Sequence, residues 1–193
     1  MSTEAEARNL IVELKLLADV GLIGLPNAGK STLLSVISAA RPKIAEYPFT
    51  TLVPVLGVVK LENYRSFVVA DIPGLIEGAH RGVGLGFQFL RHIERTSILV
   101  HLIDISEMGE GDPIENFTKI NKELELYNPF LMKRPQVVVG TKRDIAGDST
   151  RLNRLLRYCT EEKIHFFTVS AVLGKGIRQL ISYLSVQLRD RER

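Results

Sequence analysis

The chain has 193 residues, of which 45% are hydrophobic and 24% charged, and its formal net charge is +3. That composition describes an ordinary globular domain with enough apolar residues for a sizeable core, and it excludes collagen-like or low-complexity chains. The single cysteine, Cys159, excludes an intramolecular disulfide and fits a reducing, cytoplasmic compartment.

The N-terminus, MSTEAEARN, is polar and mixed in charge, unlike a signal peptide. The most apolar stretch, NLIVELKLLADVGLIGL, is broken by Glu13, Lys15 and Asp19, so no transmembrane segment is expected. Residues 1–17 read as a linker or first-strand extension and 18–190 as the folded domain. Within it, ADVGLIGL is a predicted strand and KSTLLSVISAA (30–40) a helix. RPKIAEYPFTT (41–51) has the proline and polar content of a loop. LVPVLGVVKLE and RSFVVADIPG read as two strands joined by the turn-like ENYR. LIEGAHRGVGLG is glycine-rich, FQFLRHIERT helical and SILVHLIDI a strand. DPIENFTKINKELELYN opens on an Asp–Pro pair suited to a helix N-terminus. PQVVVGTK is a strand, RLNRLLRYCTEE a helix that leaves Cys159 as an inert packed thiol, HFFTVSA a strand and GIRQLISYLSVQLRDR a closing helix.

Alternating strands and helices with one early hairpin predict an α/β fold. Its sheet is mostly parallel and six-stranded, with one antiparallel strand and helices on both faces. Ligands on such sheets bind outside the carboxyl ends of the strands, so the loops after residues 24, 72, 140 and 169 are the places to look. The basic residues, among them Arg41, Lys43, Arg81, Lys133 and Arg154, are spread along the chain. That describes a solvated surface, and no DNA contact is expected.

Gly24-Leu25-Pro26-Asn27-Ala28-Gly29-Lys30-Ser31, followed by Thr32, fits G-x-x-x-x-G-K-[ST] between a strand and a helix. The glycines let backbone N–H groups converge on a phosphate, and the helix N-terminus adds the positive end of its dipole. Lys30 supplies a cation to the β- and γ-phosphates, and the Ser31 hydroxyl is placed for Mg²⁺. Asp71-Ile72-Pro73-Gly74 ends a strand; its carboxylate can hold Mg²⁺ through a water and the Gly74 N–H can meet a γ-phosphate. In YPFTTLVP, either Thr50 or Thr51 could complete the metal shell, or both could simply begin a strand. Thr141-Lys142-Arg143-Asp144 and Ser170-Ala171-Val172 follow two later strands. As a base pocket, Asp144 would accept from guanine N1–H and N2–H₂, a donor pair that adenine lacks, while Lys142 would lay its stem over the base and the Ala171 N–H would meet O6. Together these loops predict a P-loop NTPase with a Ras-like, GTP-binding G domain.

With those residues in place, LKLLADVGLIGLPNAGKSTLL, RPKIAEYPFTTLVPVLGVV, ADIPGLIEGAHRGVGLGFQFLRHIERT and HLIDIS resemble the G domain of the Obg family, the bacterial ribosome-associated GTPases. The resemblance runs from about Leu14 to Gln187. It implies that Thr51 rather than Thr50 is the Mg²⁺ threonine, beside Ser31 and Asp71. It implies that Phe49, Thr50, Thr51, Leu52 and Val53 contact the nucleotide together with Asp71, Ile72, Pro73 and Gly74, and that 75–86 is the second switch. It also implies a part in large ribosomal subunit assembly and in growth or stress control. Family members carry flanking domains, so the chain reads as an excised, monomeric G domain. Thr141 stands where asparagine is common, which should weaken one tie between base loop and phosphate loop.

Many switch GTPases place a water-orienting glutamine after D-x-x-G; here the residue is Leu75. Catalysis then falls to Lys30, to groups around Thr51 and Gly74, and to Mg²⁺, with a slow unassisted rate on the order of 10⁻⁴ to 10⁻² s⁻¹. Asn27 is a candidate K⁺ ligand, as in related GTPases lacking that glutamine; otherwise it merely suits the turn. His80 and Arg81 are weaker catalytic candidates. The competing expectation is a guanine-nucleotide-gated binding module in which hydrolysis is incidental.

Overall fold

The computed structural model describes residues 18–44, 54–62, 65–71 and 96–190. In chain order they form β1 (Val20–Ile23), α1 (Lys30–Ile37), β2 (Lys43–Ile44), β3 (Val55–Lys60), β4 (Ser66–Asp71), β5 (Ile98–Asp104), α2 (Pro113–Tyr127), β6 (Gln136–Thr141), α3 (Thr150–Glu161), β7 (His165–Thr168) and α4 (Ile177–Arg189). The helix expected over FQFLRHIERT, the glycine-rich stretch before it and the linker 1–17 lie outside the described residues.

The sheet has seven strands, in the order β2-β3-β4-β1-β5-β6-β7. Six strands were expected; the seventh is β2, two residues that pair with β3 inside the stretch read as a loop. A pair of exposed residues, Lys43 and Ile44, has no alternation from which a strand could be read. Only β3 runs against the others, since β1, β4, β5, β6 and β7 are joined by parallel pairings. The central strands β1 and β5 are buried on both faces, and this explains their unbroken apolar runs.

Side chains alternate between two cores. Val20, Leu22, Val100 and Leu102 pack with Leu33, Leu34 and Ile37 of α1 and Leu180 and Leu184 of α4. Ile23 and Leu99 pack on the opposite face with Ile120 and Leu124 of α2. Farther along that face Ile103 and Val138 meet Phe117, Leu152, Leu155 and Cys159. Burial pushes the Cys159 thiol up to about 11, which keeps it protonated and unreactive at neutral pH.

Helix ends follow local chemistry. The Asp112 carboxylate accepts from the Ile114 and Glu115 N–H groups at 2.9 and 3.2 Å, and Pro113 opens α2 at no cost in hydrogen bonds. α1 stops at Ile37, short of the expected residue 40. Ser38 turns extended, and the Ala39 N–H leaves the helix to bond the Val58 carbonyl of β3 at 2.8 Å. Among the described residues no helix is long and apolar enough to cross a membrane.

Leu34 is fully buried between α1 and the sheet. Leu34→Ala should cost roughly 2–5 kcal/mol of unfolding free energy, read as a fall in the urea midpoint with little change in slope.

Candidate functional site

The phosphate loop runs from the end of β1 straight into the start of α1. Gly24 has φ +147°, and a Cβ there would collide with the Leu102 carbonyl of β5, so only glycine lets the loop leave the sheet this closely. Asn27 occupies the left-handed region at φ +61°, which asparagine tolerates better than most residues. Gly29 begins α1, and no side chain caps that helix, so its first-turn N–H groups keep their capacity for an anion.

Lys30 curls back over the loop. Its ammonium donates to the Gly24 and Leu25 carbonyls, each at 2.9 Å. An ammonium has three donors, so one is left to aim at a ligand. Burial lowers the Lys30 pKa, with Asp71 acting in the opposite sense. A partly desolvated cation is a stronger partner for phosphate than one in bulk water.

β4 brings Asp71 beside α1. The Ser31 hydroxyl donates to Asp71 Oδ2 at 2.5 Å. Asp71 is only 4% exposed, and its Oδ1 is buried with no hydrogen-bond partner among the described residues. An orphaned buried carboxylate oxygen beside a hydroxyl is the donor set of a hard divalent cation, and these two residues fit Mg²⁺. The other residues expected here, namely Phe49, Thr50, Thr51, Leu52, Val53, Ile72, Pro73, Gly74, Leu75, His80 and Arg81, lie outside the described residues.

The two loops expected to read the base follow β6 and β7. Thr141 is buried, and its hydroxyl donates to the Ala28 carbonyl at 2.8 Å, so the loop after β6 and the phosphate loop are tied by this shorter side chain. Lys142 takes the left-handed conformation, φ +58°, before a 3₁₀ turn over Arg143–Ile145 that leaves Asp144 exposed. The Arg143 N–H donates to the Val169 carbonyl at 3.2 Å and thereby joins the loops after β6 and β7. Ser170 is buried, and its hydroxyl accepts from the Leu173 N–H at 3.1 Å, holding the turn that presents Ala171 and the exposed Val172. A cavity of about 230 Å³ lies between the phosphate loop and the end of β5, bounded by Asn27, His101, Asp104, Glu110, Asn116 and Lys142.

Two residues near the site were not anticipated. Asp104 meets the Lys142 ammonium at 2.6 Å. His101 is buried in β5 against Phe117, with ring centroids 4.9 Å apart and Nδ1 without a partner among the described residues. Its one signal in the sequence was a polar residue inside the apolar run SILVHLIDI.

A family described as "50S ribosome-binding GTPase" matches residues 19–142. The chain is 69% identical over 182 residues to the GTPase Obg of Thermodesulfovibrio yellowstonii, an alignment covering 94% of this chain and 54% of that protein. It is 54% identical over 192 residues to the GTPase Obg of Aquifex aeolicus, covering 98% of this chain and 56% of the relative. The chain therefore spans about half the length of the curated relatives it matches. Among solved structures, a putative nucleolar GTP-binding protein 1 from Plasmodium falciparum superposes with a TM-score of 0.71 at 18% identity, over 94% of this chain and 92% of that one. The G domain of the T. maritima FeoB iron transporter gives 0.64 at 19% identity, over 88% of this chain and 98% of that one. At such low identity these two speak for the fold alone.

His101 makes the site's surroundings sensitive to acid. Burial first, and the nearby Lys30 cation second, lower its pKa from 6.5 to about 3. The unfolded chain takes up that proton first as pH falls, so the stability tied to neutral His101 is present above pH 6.5 and is lost progressively toward pH 3. Between pH 7 and pH 5, His101→Leu should lose about 2 kcal/mol less stability than the parent in paired urea melts.

Proposed function

Because the chain belongs to the 50S ribosome-binding GTPase family and matches Obg proteins along nearly all of its length, we propose that it is a GTP-binding, slowly GTP-hydrolysing switch of the Obg type. The observation that carries this reading is the Lys30, Ser31 and Asp71 cluster at the end of β1: an ammonium with a donor to spare, and a hydroxyl on a half-satisfied buried carboxylate. Residues 18–190 make up the nucleotide-binding domain. Backbone N–H groups of the Gly24–Thr32 loop other than Pro26, with the Lys30 ammonium, hold the β- and γ-phosphates and stabilise the oxygens on which negative charge builds during phosphoryl transfer. Ser31, Thr51 and, through a water, Asp71 would hold Mg²⁺, which when bound supplies Lewis-acid stabilisation of the phosphate oxygens. Gly74 is the residue whose N–H would meet the γ-phosphate.

Guanine is read by Asp144, with Lys142 on the base face and the Ala171 N–H at O6. Ser170, Val172, Thr141 and Arg143 shape those loops. The comparisons support this reading through the Obg relatives, and the ties from Thr141 to Ala28 and from Arg143 to Val169 support it physically by joining base loops to phosphate loop. The partner class is the large ribosomal subunit, the compartment the cytoplasm, and the domain acts as a monomer.

Leu75 offers no polar group to orient water, so hydrolysis is slow and leans on Lys30, Thr51 and Gly74. The same residue favours a second reading, a nucleotide-gated binding module with incidental turnover. Asn27, exposed on the loop and without a hydrogen bond to any described residue, is the candidate K⁺ ligand.

Titration of the chain should give GDP and GTP affinities at least about 100-fold above ATP, and Asp144→Asn should move the preference to xanthine nucleotides; unchanged GTP affinity in that variant would refute the pocket. Multiple-turnover phosphate release should exceed the buffer rate, whereas equality with buffer selects the binding module. Turnover should be faster in KCl than in NaCl at equal ionic strength, and equal rates would remove Asn27 from the mechanism.

A further inference from the structure

We propose that Asp104 is a positioning residue for guanine binding: it pins the head of Lys142 so that the lysine stem is laid out before the base arrives. The inference rests on the guanine-pocket reading above.

Asp104 and Thr141 are register partners at the ends of β5 and β6. Lys142 is therefore the first residue beyond the sheet, and its side chain crosses from one strand end to the next to reach Asp104 Oδ2 at 2.6 Å. A lysine has a long, freely rotating stem, and a stem left free would lose that freedom on stacking against a base. A stem fixed at both ends has lost it already, which is how preorganisation raises affinity.

Asp104 is itself held from several sides. Its Oδ1 accepts from the Ser106 N–H at 2.9 Å, so both carboxylate oxygens are engaged. Its backbone carbonyl accepts from Arg151 Nη2 at 3.2 Å, and Arg151 Nη1 also donates to the Gly111 carbonyl at 2.7 Å. Gly109 lets the guanidinium through, because a Cβ there would stand 2.6 Å from Arg151 Nη2 and 3.0 Å from the Asp104 carbonyl. Arg154 Nε meets Asp112 Oδ2 at 3.1 Å and fastens the far end of the same loop to α3. Burial alone would raise the Asp104 pKa, but hydrogen bonds from Lys142 and Ser106 outweigh it and hold the carboxyl below its usual range. The carboxylate is thus a fixed, charged post with one exchangeable partner, Lys142.

The test is the affinity of Asp104→Asn, Lys142→Met and the double variant for GDP and for pyrophosphate, which probes the phosphate loop without the base. D104N should bind GDP about tenfold more weakly, through faster release, with pyrophosphate binding within twofold of the parent. In the K142M background the Asp104 change should cost nothing further, since the residue acts through the lysine. Asp104→Glu, which restores the charge, should recover part of the loss and guards against a D104N variant that melts early. D104N equal to the parent for GDP, losses that add in the double variant, a parallel fall in pyrophosphate binding, or no recovery in D104E would each overturn the inference. A parent chain that prefers GDP over ADP while D104N behaves identically refutes this proposal alone; a parent with no such preference refutes the guanine pocket and this proposal with it.

Discussion

Leu22 lies level with Asp71 on one side and Val100 on the other, in the register of three parallel strands. That alignment is the constraint on which the site depends. Because β1, β4, β5 and β6 point the same way, their carboxyl ends open along one edge, and residues far apart in the chain meet there. Ser31 reaches Asp71 across 40 positions and Thr141 reaches Ala28 across 113. No single loop could bring these residues together. The sheet does so with strands whose backbone hydrogen bonds leave little freedom in their relative heights.

Burial and polarity are arranged in layers around this edge. The strands below are apolar on both faces and exclude water. Polar groups near their ends are only partly satisfied: Asp71 Oδ1 at the end of β4 and His101 Nδ1 within β5 are buried without hydrogen-bond partners among the described residues. Unpaired buried polar atoms cost stability and are rare in folded proteins. Asp71 lies against Ser31 and His101 borders the cavity beside the phosphate loop, where an unpaired polar atom keeps its capacity to meet a ligand.

Much of this was legible in the sequence because the phosphate loop is a local device. Its spacing from Gly24 to Ser31 is set by the span of one turn between a strand and a helix, so the motif carries its own geometry. The Asp112-Pro113 helix start was legible for the same reason. Asp104, Arg151 and Gly109 were not, because their roles depend on which strand ends lie side by side, and HLIDIS contains no spacing that says so. The early end of α1 was equally hidden: a hydrogen bond from Ala39 to Val58 outweighs the helical propensity of SAA. β2 escaped because two exposed residues have no period to read. The choice between Thr50 and Thr51 rests on resemblance, as both lie outside the described residues.

The lone thiol has a practical consequence. Cys159 lies among Ile103, Phe117, Val138 and Leu155, and burial holds it protonated. The native chain is therefore silent toward maleimide and iodoacetamide dyes in gentle conditions. A cysteine introduced at exposed Met108, after β5, or Val172, after β7, would be the one reactive site for a fluorophore or spin label. Two such positions in one chain would turn this edge of the sheet into a molecular ruler, with no native cysteine to remove first.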